Sequence, residues 1–197
     1  MCISDSYDGV TPVEETMQAL IDIVKQGKAL YVGISKYPPA QAKIAYEMLR
    51  AAGVPCLISQ YRYSMFDRTV EEKSLPLAAE QGSGFIAFSP LAQGLLTKKY
   101  LHGIPEHSRA ARSTGFLKVD QVTEDKVGKA RRLDEIAARR GQTLAEMALA
   151  WVLKDERMTS VIVGTSSVKQ LADNLHALDN LNFTNEELAE IEGILRL

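Results

Sequence analysis

The feature that most constrains this chain is a repeated alternation between two kinds of apolar pattern. Short apolar runs, each closing on polar residues, are separated by longer stretches whose apolar residues recur at helical spacing. Ala29–Ser35, Val54–Gln60, Phe85–Phe88 and Ser160–Gly164 read as strands, and residues 1–8 read as a strand end or frayed terminus. Between them, Thr11-Pro12-Val13-Glu14-Glu15 reads as a helix start, with Thr11 as the N-cap and Pro12 at the first helical position. The stripe Met17, Leu20, Ile21, Val24 follows and stops at Gln26-Gly27-Lys28. Pro38-Pro39 opens a second helix with Ala42, Ile44, Ala45, Met48 and Leu49 inside, closed at Gly53. A helix broken by Pro76 is predicted over 70–81, and another over 123–140 with Val127, Ala130, Leu133, Ile136 and Ala137 inward. Thr143–Glu146 and Thr184–Glu187 have the spacing of capping boxes, leading helices through Leu153 and over 188–195, with a further helix over 168–178. Strands alternating with helices predict an α/β fold with a parallel sheet.

Each run ends in polar residues as the chain leaves it: Ser35-Lys36-Tyr37, Gln60-Tyr61-Arg62, Ser89-Pro90 and Gly164-Thr165-Ser166. A polar rim at the carboxyl ends of a parallel sheet is where α/β folds bind ligands. The most informative rim is Gly84–Tyr100, GFIAFSPLAQGLLTKKY. Its run reads as a strand buried on both faces, and Ser89-Pro90 must end it, because proline lacks an N–H donor and makes its predecessor extended. Gly94 then lets the backbone approach a ligand, while Thr97, Lys98 and Lys99 bring a hydroxyl and two positive charges. On these residues alone the stretch is either a phosphate-binding loop or a βα turn shaped by proline and glycine. No GxGxxG fingerprint accompanies it, which disfavours a Rossmann domain.

Charge and composition remove other classes. A net charge of −2 and a pI near 6.0 supply no basic field for nucleic acid. No apolar run approaches the roughly 20 residues a membrane helix needs, and the first residues lack the basic and apolar regions of a secretory signal. Cys2 and Cys56 have neither metal nor redox spacing, and His102, His107 and His176 are scattered, so no metal site is expected and a reduced, cytoplasmic setting is. The segment 101–122 is long, polar and poor in apolar periodicity, which marks a binding segment or disorder.

Taken together, TPVEETMQAL at 11–20, GKALYVGIS at 27–35, ISQYRYSMF at 58–66, GFIAFSPLAQGLLTKKY at 84–100, QTLAEMALAWVL at 142–153 and VIVGTSSVKQLADNL at 161–175 resemble the aldo-keto reductases. The branch that includes bacterial glyceraldehyde-3-phosphate reductases and potassium-channel β subunits is the most similar. The pieces occur in the family's order and spacing over essentially the whole chain. The resemblance implies a (β/α)8 TIM-barrel fold, here as the C-terminal five or so βα units of an incomplete barrel, in a single domain over 1–197 truncated at its N-terminus. It implies reduction of small aldehydes or ketones, including glyceraldehyde 3-phosphate-like ones, with NADP(H), NAD(H) not being excluded.

Residue by residue, the resemblance implies that Ser35 and Gln60 hold the nicotinamide carboxamide and that Phe88 stacks on its ring. Ser89, Leu91, Gln93, Gly94 and Lys99 match the loop that wraps the pyrophosphate. Gly164, Thr165, Ser166, Gln170 and Asn174 match the adenosine end. Three departures accompany these matches. Ser167 stands where the family carries Arg or Lys toward a 2′-phosphate, leaving Lys169, Arg109 or Arg112 to substitute, and Lys36 stands where Asn is usual. The largest is that the family's catalytic Asp, Tyr and Lys belong to strands preceding this sequence, and its histidine is missing ahead of Tyr7-Asp8, where Asp5-Ser6 occur instead. No catalytic residue is therefore assigned. The alternative is a nicotinamide-nucleotide-binding or partner-binding module without turnover, or an inactive truncated product. About five strands would leave two open sheet edges, so self-association is expected.

Overall fold

The computed structural model describes residues 1–106, 108, 110–111 and 117–196. They divide into two compact units. The first comprises Met1–Arg62, Arg68–Phe88 and Glu156–Ser160; the second comprises Tyr63–Asp67, Ser89–Asp155 and Val161–Leu197.

In the first unit, β1 (Cys2–Ser4), β2 (Val32–Ser35), β3 (Cys56–Arg62) and β4 (Gly84–Phe88) pair in parallel, in chain order. The sheet continues into a fifth strand, β5 (Met158–Ile162), whose first three residues belong to this unit. The connections are helices: α1 (Val13–Lys25), α2 (Pro39–Ala51) and α3 (Ser74–Glu80). Such crossovers are what parallel strands require. Met17, Leu20 and Ile21 of α1, and Ala42, Ala45, Tyr46 and Leu49 of α2, are buried with the fully buried strand β2. Gly33 allows β2 and β3 to approach closely: a Cβ there would lie 2.7 Å from the Ile58 carbonyl oxygen.

The alternation holds, with local corrections. Thr11 does not cap α1; Pro12 occupies the cap position. The Asp8 carboxylate takes the Thr11 hydroxyl instead, at 2.6 Å, together with the N–H groups of Val10 and Thr11. These bonds, the Thr11 hydroxyl foremost, hold the Asp8 carboxyl below its ordinary value. The strand predicted from Ala29 begins at Val32, because Leu30 and Tyr31 are 79% and 53% exposed. Ile44 faces outward, and Tyr46 fills the inner row of α2. Pro76 does not break a helix. It sits in the first turn of α3, which starts at Ser74, where its missing N–H costs nothing. The β4 run is buried on alternate residues, Phe85 and Ala87, rather than on both faces.

The second unit is mainly helical: α4 (Glu124–Arg139), α5 (Leu144–Leu153), α6 (Val168–Leu175) and α7 (Asn185–Arg196), with a 3₁₀ turn over His176–Asp179. The expected inner stripe of α4 is buried residue for residue. Both capping boxes form: the Thr143 hydroxyl accepts the Glu146 N–H at 3.2 Å, and that of Thr184 accepts the Glu187 N–H at 3.2 Å. The Arg140 side chain is 2% exposed, and its guanidinium donates to Glu187, Gln142 and the carbonyls of Asn180 and Asn182 while lying over the Phe183 ring. The helix predicted over 168–178 gives way to the 3₁₀ turn after Leu175, and β5 runs two residues earlier than the predicted 160–164. Leu101, Ala110 and Leu117 of the polar segment are buried, the last two in a cluster with Leu95 and Tyr100. Arg131 anchors the segment by donating twice to the Leu101 carbonyl, at 3.0 and 2.8 Å. No helix among the described residues is long and apolar enough to cross a membrane.

Candidate functional site

The second unit contains a cavity of about 530 Å³, within the size range of small-molecule sites. Two segments line it. One follows β4 and contributes Ser89, Pro90, Leu91, Gln93, Gly94, Thr97 and Lys99; the other contributes Ile162, Val163, Gly164, Thr165, Ser166 and Gln170. The earlier end of β5 explains the second segment: with the strand over by Ile162, Val163 and Gly164 are released into the loop before α6.

The first segment is a sharply folded turn. Ser89, Ala92 and Gln93 have left-handed backbones, with φ of 55°, 46° and 59°. Side-chain-bearing residues are uncommon in that region, and strain of this kind concentrates at ligand-binding sites. The turn is held by Ala92 N–H to the Ser89 carbonyl at 2.9 Å and Gly94 N–H to the Leu91 carbonyl at 2.8 Å. Gly94 has φ of +106°, and a Cβ there would meet the Tyr100 ring at 3.3 Å, so this position requires glycine. Thr97 locks the exit: its hydroxyl donates to the Gly94 carbonyl at 2.7 Å and accepts the Lys99 N–H at 3.2 Å. Lys99 is exposed and is the charged side chain among the lining residues, whereas Lys98 turns to Asp134 at 3.5 Å.

The second segment is organised by Gln170. Its Oε1 accepts the Ser166 N–H at 2.8 Å and the Ser166 hydroxyl at 3.1 Å. The Ser167 hydroxyl caps α6 by accepting the Gln170 N–H at 3.1 Å. One turn on, Asn174 is 9% exposed, and its Nδ2 is a buried amide donor with no partner among the described residues. Buried polar groups in native proteins are rarely left so, and a missing ligand is one explanation for such a donor. Asn174 follows Gln170 at i+4, on the same helix face.

Of the residues expected to contact a dinucleotide, Ser89, Leu91, Gln93, Gly94, Lys99, Gly164, Thr165, Ser166 and Gln170 line this one cavity. Asn174 does not line it and is buried one turn beyond Gln170 on α6. Ser35, Gln60 and Phe88 belong to the first unit. There Ser35 is register partner to Gln60, and Phe88 is register partner to Arg62, whose guanidinium carbon lies 6.0 Å from the Phe88 ring centre. Arg109 and Arg112 lie outside the described residues. The sequence reading missed Pro90, Ile162 and Val163 as lining residues; for the last two, no signal short of the correct end of β5 would have found them.

The sequence profile of the aldo/keto reductase family matches residues 1–196. The chain is 48% identical over 193 residues to an L-glyceraldehyde 3-phosphate reductase of Escherichia coli O157:H7. It is 46% identical over 193 residues to the protein of the same name in Escherichia coli strain K12. Each alignment covers 96% of this chain and 56% of the relative, so the chain spans little more than half the length of the curated relatives it matches. The parallel strands with intervening helices fit the (β/α)8 fold class of that family. The chain belongs to the aldo/keto reductase family.

Proposed function

We propose that this chain is the nucleotide-holding portion of an NADP(H)-dependent aldehyde or ketone reductase, acting on small aldehydes of the glyceraldehyde 3-phosphate type. The observation that carries the reading is the convergence of two distant segments, 89–99 and 162–170, on one polar cavity with a single lysine and strained backbone. When bound, the reduced nicotinamide supplies the hydride. The residues of this chain bind and orient the nucleotide. Lys99 compensates pyrophosphate charge, and Thr165, Ser166 and Gln170 offer hydrogen bonds to the adenosine portion. For Ser35 and Gln60, register partners within the first unit, a carboxamide-binding role rests on the family resemblance alone.

The names of the relatives support the aldehyde substrate. The second reading, a nucleotide-binding module without turnover, is favoured by Asp5-Ser6 in front of Tyr7-Asp8, which leaves no histidine there to orient a carbonyl. Calorimetric titration of the 197-residue chain with NADPH tests the cavity assignment. Saturable binding that weakens about tenfold in Lys99→Met is expected, since one charged hydrogen bond to a phosphate is of that order. Binding that is indifferent to Lys99→Met and to Gly94→Val contradicts it.

A further inference from the structure

We propose that the carboxyl-end rim of the sheet in the first unit is an anion subsite, where Lys36 and Arg62 take the phosphate of a small phosphorylated aldehyde. The inference rests on the reading of the chain as part of a reductase of such aldehydes, and it assigns the groups that recognise the phosphate.

Lys36 is exposed, yet the backbone on either side of it is fixed. Ser35 before it is 3% exposed and Tyr37 after it 2%. Its own N–H donates to the Gln60 carbonyl at 3.0 Å, and the Tyr37 carbonyl accepts the Tyr61 hydroxyl at 2.7 Å. The Tyr37 hydroxyl lies 2.9 Å from that of Ser4. Between these anchors Lys36 has φ of 55°, in the left-handed region that costs any side-chain-bearing residue. Glycine would turn the strand end with less strain, so the ammonium is what a lysine adds there. Lys98, Lys129 and Lys169 each pair with an aspartate, whereas the Lys36 ammonium has no ion pair among the described residues.

Arg62 ends β3, the neighbouring strand, and is exposed as well. It shares a rung with Phe88, and Gln60, two residues earlier, shares one with Ser35. Residues two apart on a strand lie on one face, and so do rung partners, with adjacent strands about 4.8 Å apart. Arg62, Gln60, Ser35 and Phe88 therefore stand on one face, and three of the four are neutral, so an anion meets no carboxylate among them. The guanidinium offers a planar fork of donors and the ammonium a compact charge, a combination suited to a phosphate. An unphosphorylated aldehyde gives neither cation a partner, so the pair selects phosphorylated substrates.

The test titrates the chain with glycerol 3-phosphate, which carries the phosphate without a reducible carbonyl, and follows binding by phosphorus NMR. Saturable binding is expected, competed by inorganic phosphate and not by glycerol. It should weaken about fivefold in Lys36→Met and in Arg62→Met, the scale of one exposed charge contact, and stay unchanged in Lys99→Met. Lys36→Gly removes the ammonium while relieving the left-handed backbone. It should melt no lower than wild type and bind as weakly as Lys36→Met, which separates loss of binding from loss of fold. No binding by wild type overturns the inference, as does binding indifferent to Lys36→Met and Arg62→Met. Weakening in Lys99→Met instead places the phosphate in the cavity of the second unit and overturns it too. NADPH titrated into the same variants separates the two readings. Weaker NADPH binding in Lys36→Met gives the rim to the nucleotide and overturns the inference. A chain that ignores NADPH but binds glycerol 3-phosphate through Lys36 keeps the subsite and loses the dinucleotide reading.

Discussion

Ser35 and Gln60 are register partners across the parallel pair β2–β3, and the residue after Ser35, Lys36, donates its backbone N–H to the Gln60 carbonyl at 3.0 Å. Two strand ends are thereby fixed to each other by main-chain bonds, independently of the Ser35 and Gln60 side chains. Gln60→Leu should keep the melting temperature of the chain and weaken binding of reduced nicotinamide nucleotide about tenfold, the scale of a lost pair of amide hydrogen bonds. Calorimetric titration beside a thermal melt checks both halves of that expectation.

Arg140 is the staple of the second unit. Its buried guanidinium joins α4's end to the Glu187 carboxylate and to the Asn180 and Asn182 carbonyls, and it stacks on Phe183. Arg140→Met should destabilise the chain by about 1–3 kcal/mol, since it removes a buried guanidinium that donates to the part-buried Glu187 carboxylate and Asn180 carbonyl and lies over the Phe183 ring. Arg140→Lys should recover only part of this, because a single ammonium cannot reproduce the fork. Chemical denaturation of the three proteins measures the difference.

Tyr46 is buried with its hydroxyl 2.6 Å from that of Ser59, which in turn lies 3.1 Å from Ser83. Burial pushes its phenol up to about 12 from an ordinary 10.0, while the Ser59 hydrogen bond opposes the shift. Because the folded value lies above the unfolded one, the neutral phenol's contribution is complete below about pH 10. It is then lost as pH rises from about 10 through about 12. Burial raises Tyr61 in the same direction. Stability should therefore fall steeply in strong alkali, and less steeply in Tyr46→Phe, as read from thermal melts at increasing pH.

Gly33→Ala should destabilise by about 1–3 kcal/mol, the usual cost of overpacking. The new methyl would meet the Ile58 carbonyl oxygen at 2.7 Å and the Ile58 side chain at 2.9 Å, and the oxygen is backbone that cannot swing away. Unfolding in urea checks it. Gly53→Ala is a poor control because its φ of +70° makes any side chain strained, whereas Gly128→Ala, with open space around the new methyl, should cost nothing.

How much of this was legible in the sequence differs by residue type. The α4 stripe and both capping boxes were readable because each depends on spacing within one turn or one helix. Strand limits were harder. Leu30 and Tyr31 have strand-like side chains but lie outside the ladder, and β5 begins at Met158, where the local sequence offers no apolar run. Thr11 looked like a cap because Thr-Pro fits a helix start by type and spacing, and only the fold shows its hydroxyl taken by the Asp8 carboxylate three residues earlier. The polar segment hid its role for a different reason: Ala110 and Leu117 are buried through contact with Leu95 and Tyr100, a non-local cluster that periodicity cannot report. At the cavity, the residues on the two loops were named from motif resemblance, while the left-handed backbone at Ala92 and Gln93 could be seen only in the fold.

On the reading proposed above, the chain holds a reduced nicotinamide dinucleotide, and with Asp5-Ser6 rather than a histidine before Tyr7-Asp8 it does not pass the hydride to an aldehyde. The direct measurement is titration of the purified 197-residue chain with NADPH, following nicotinamide fluorescence, with glyceraldehyde 3-phosphate then added to the same cuvette. The account predicts saturable binding and no oxidation of the nucleotide after the aldehyde is added. Absence of binding would contradict the cavity's assignment, and oxidation of the nucleotide would show that a proton donor for the carbonyl resides within these residues.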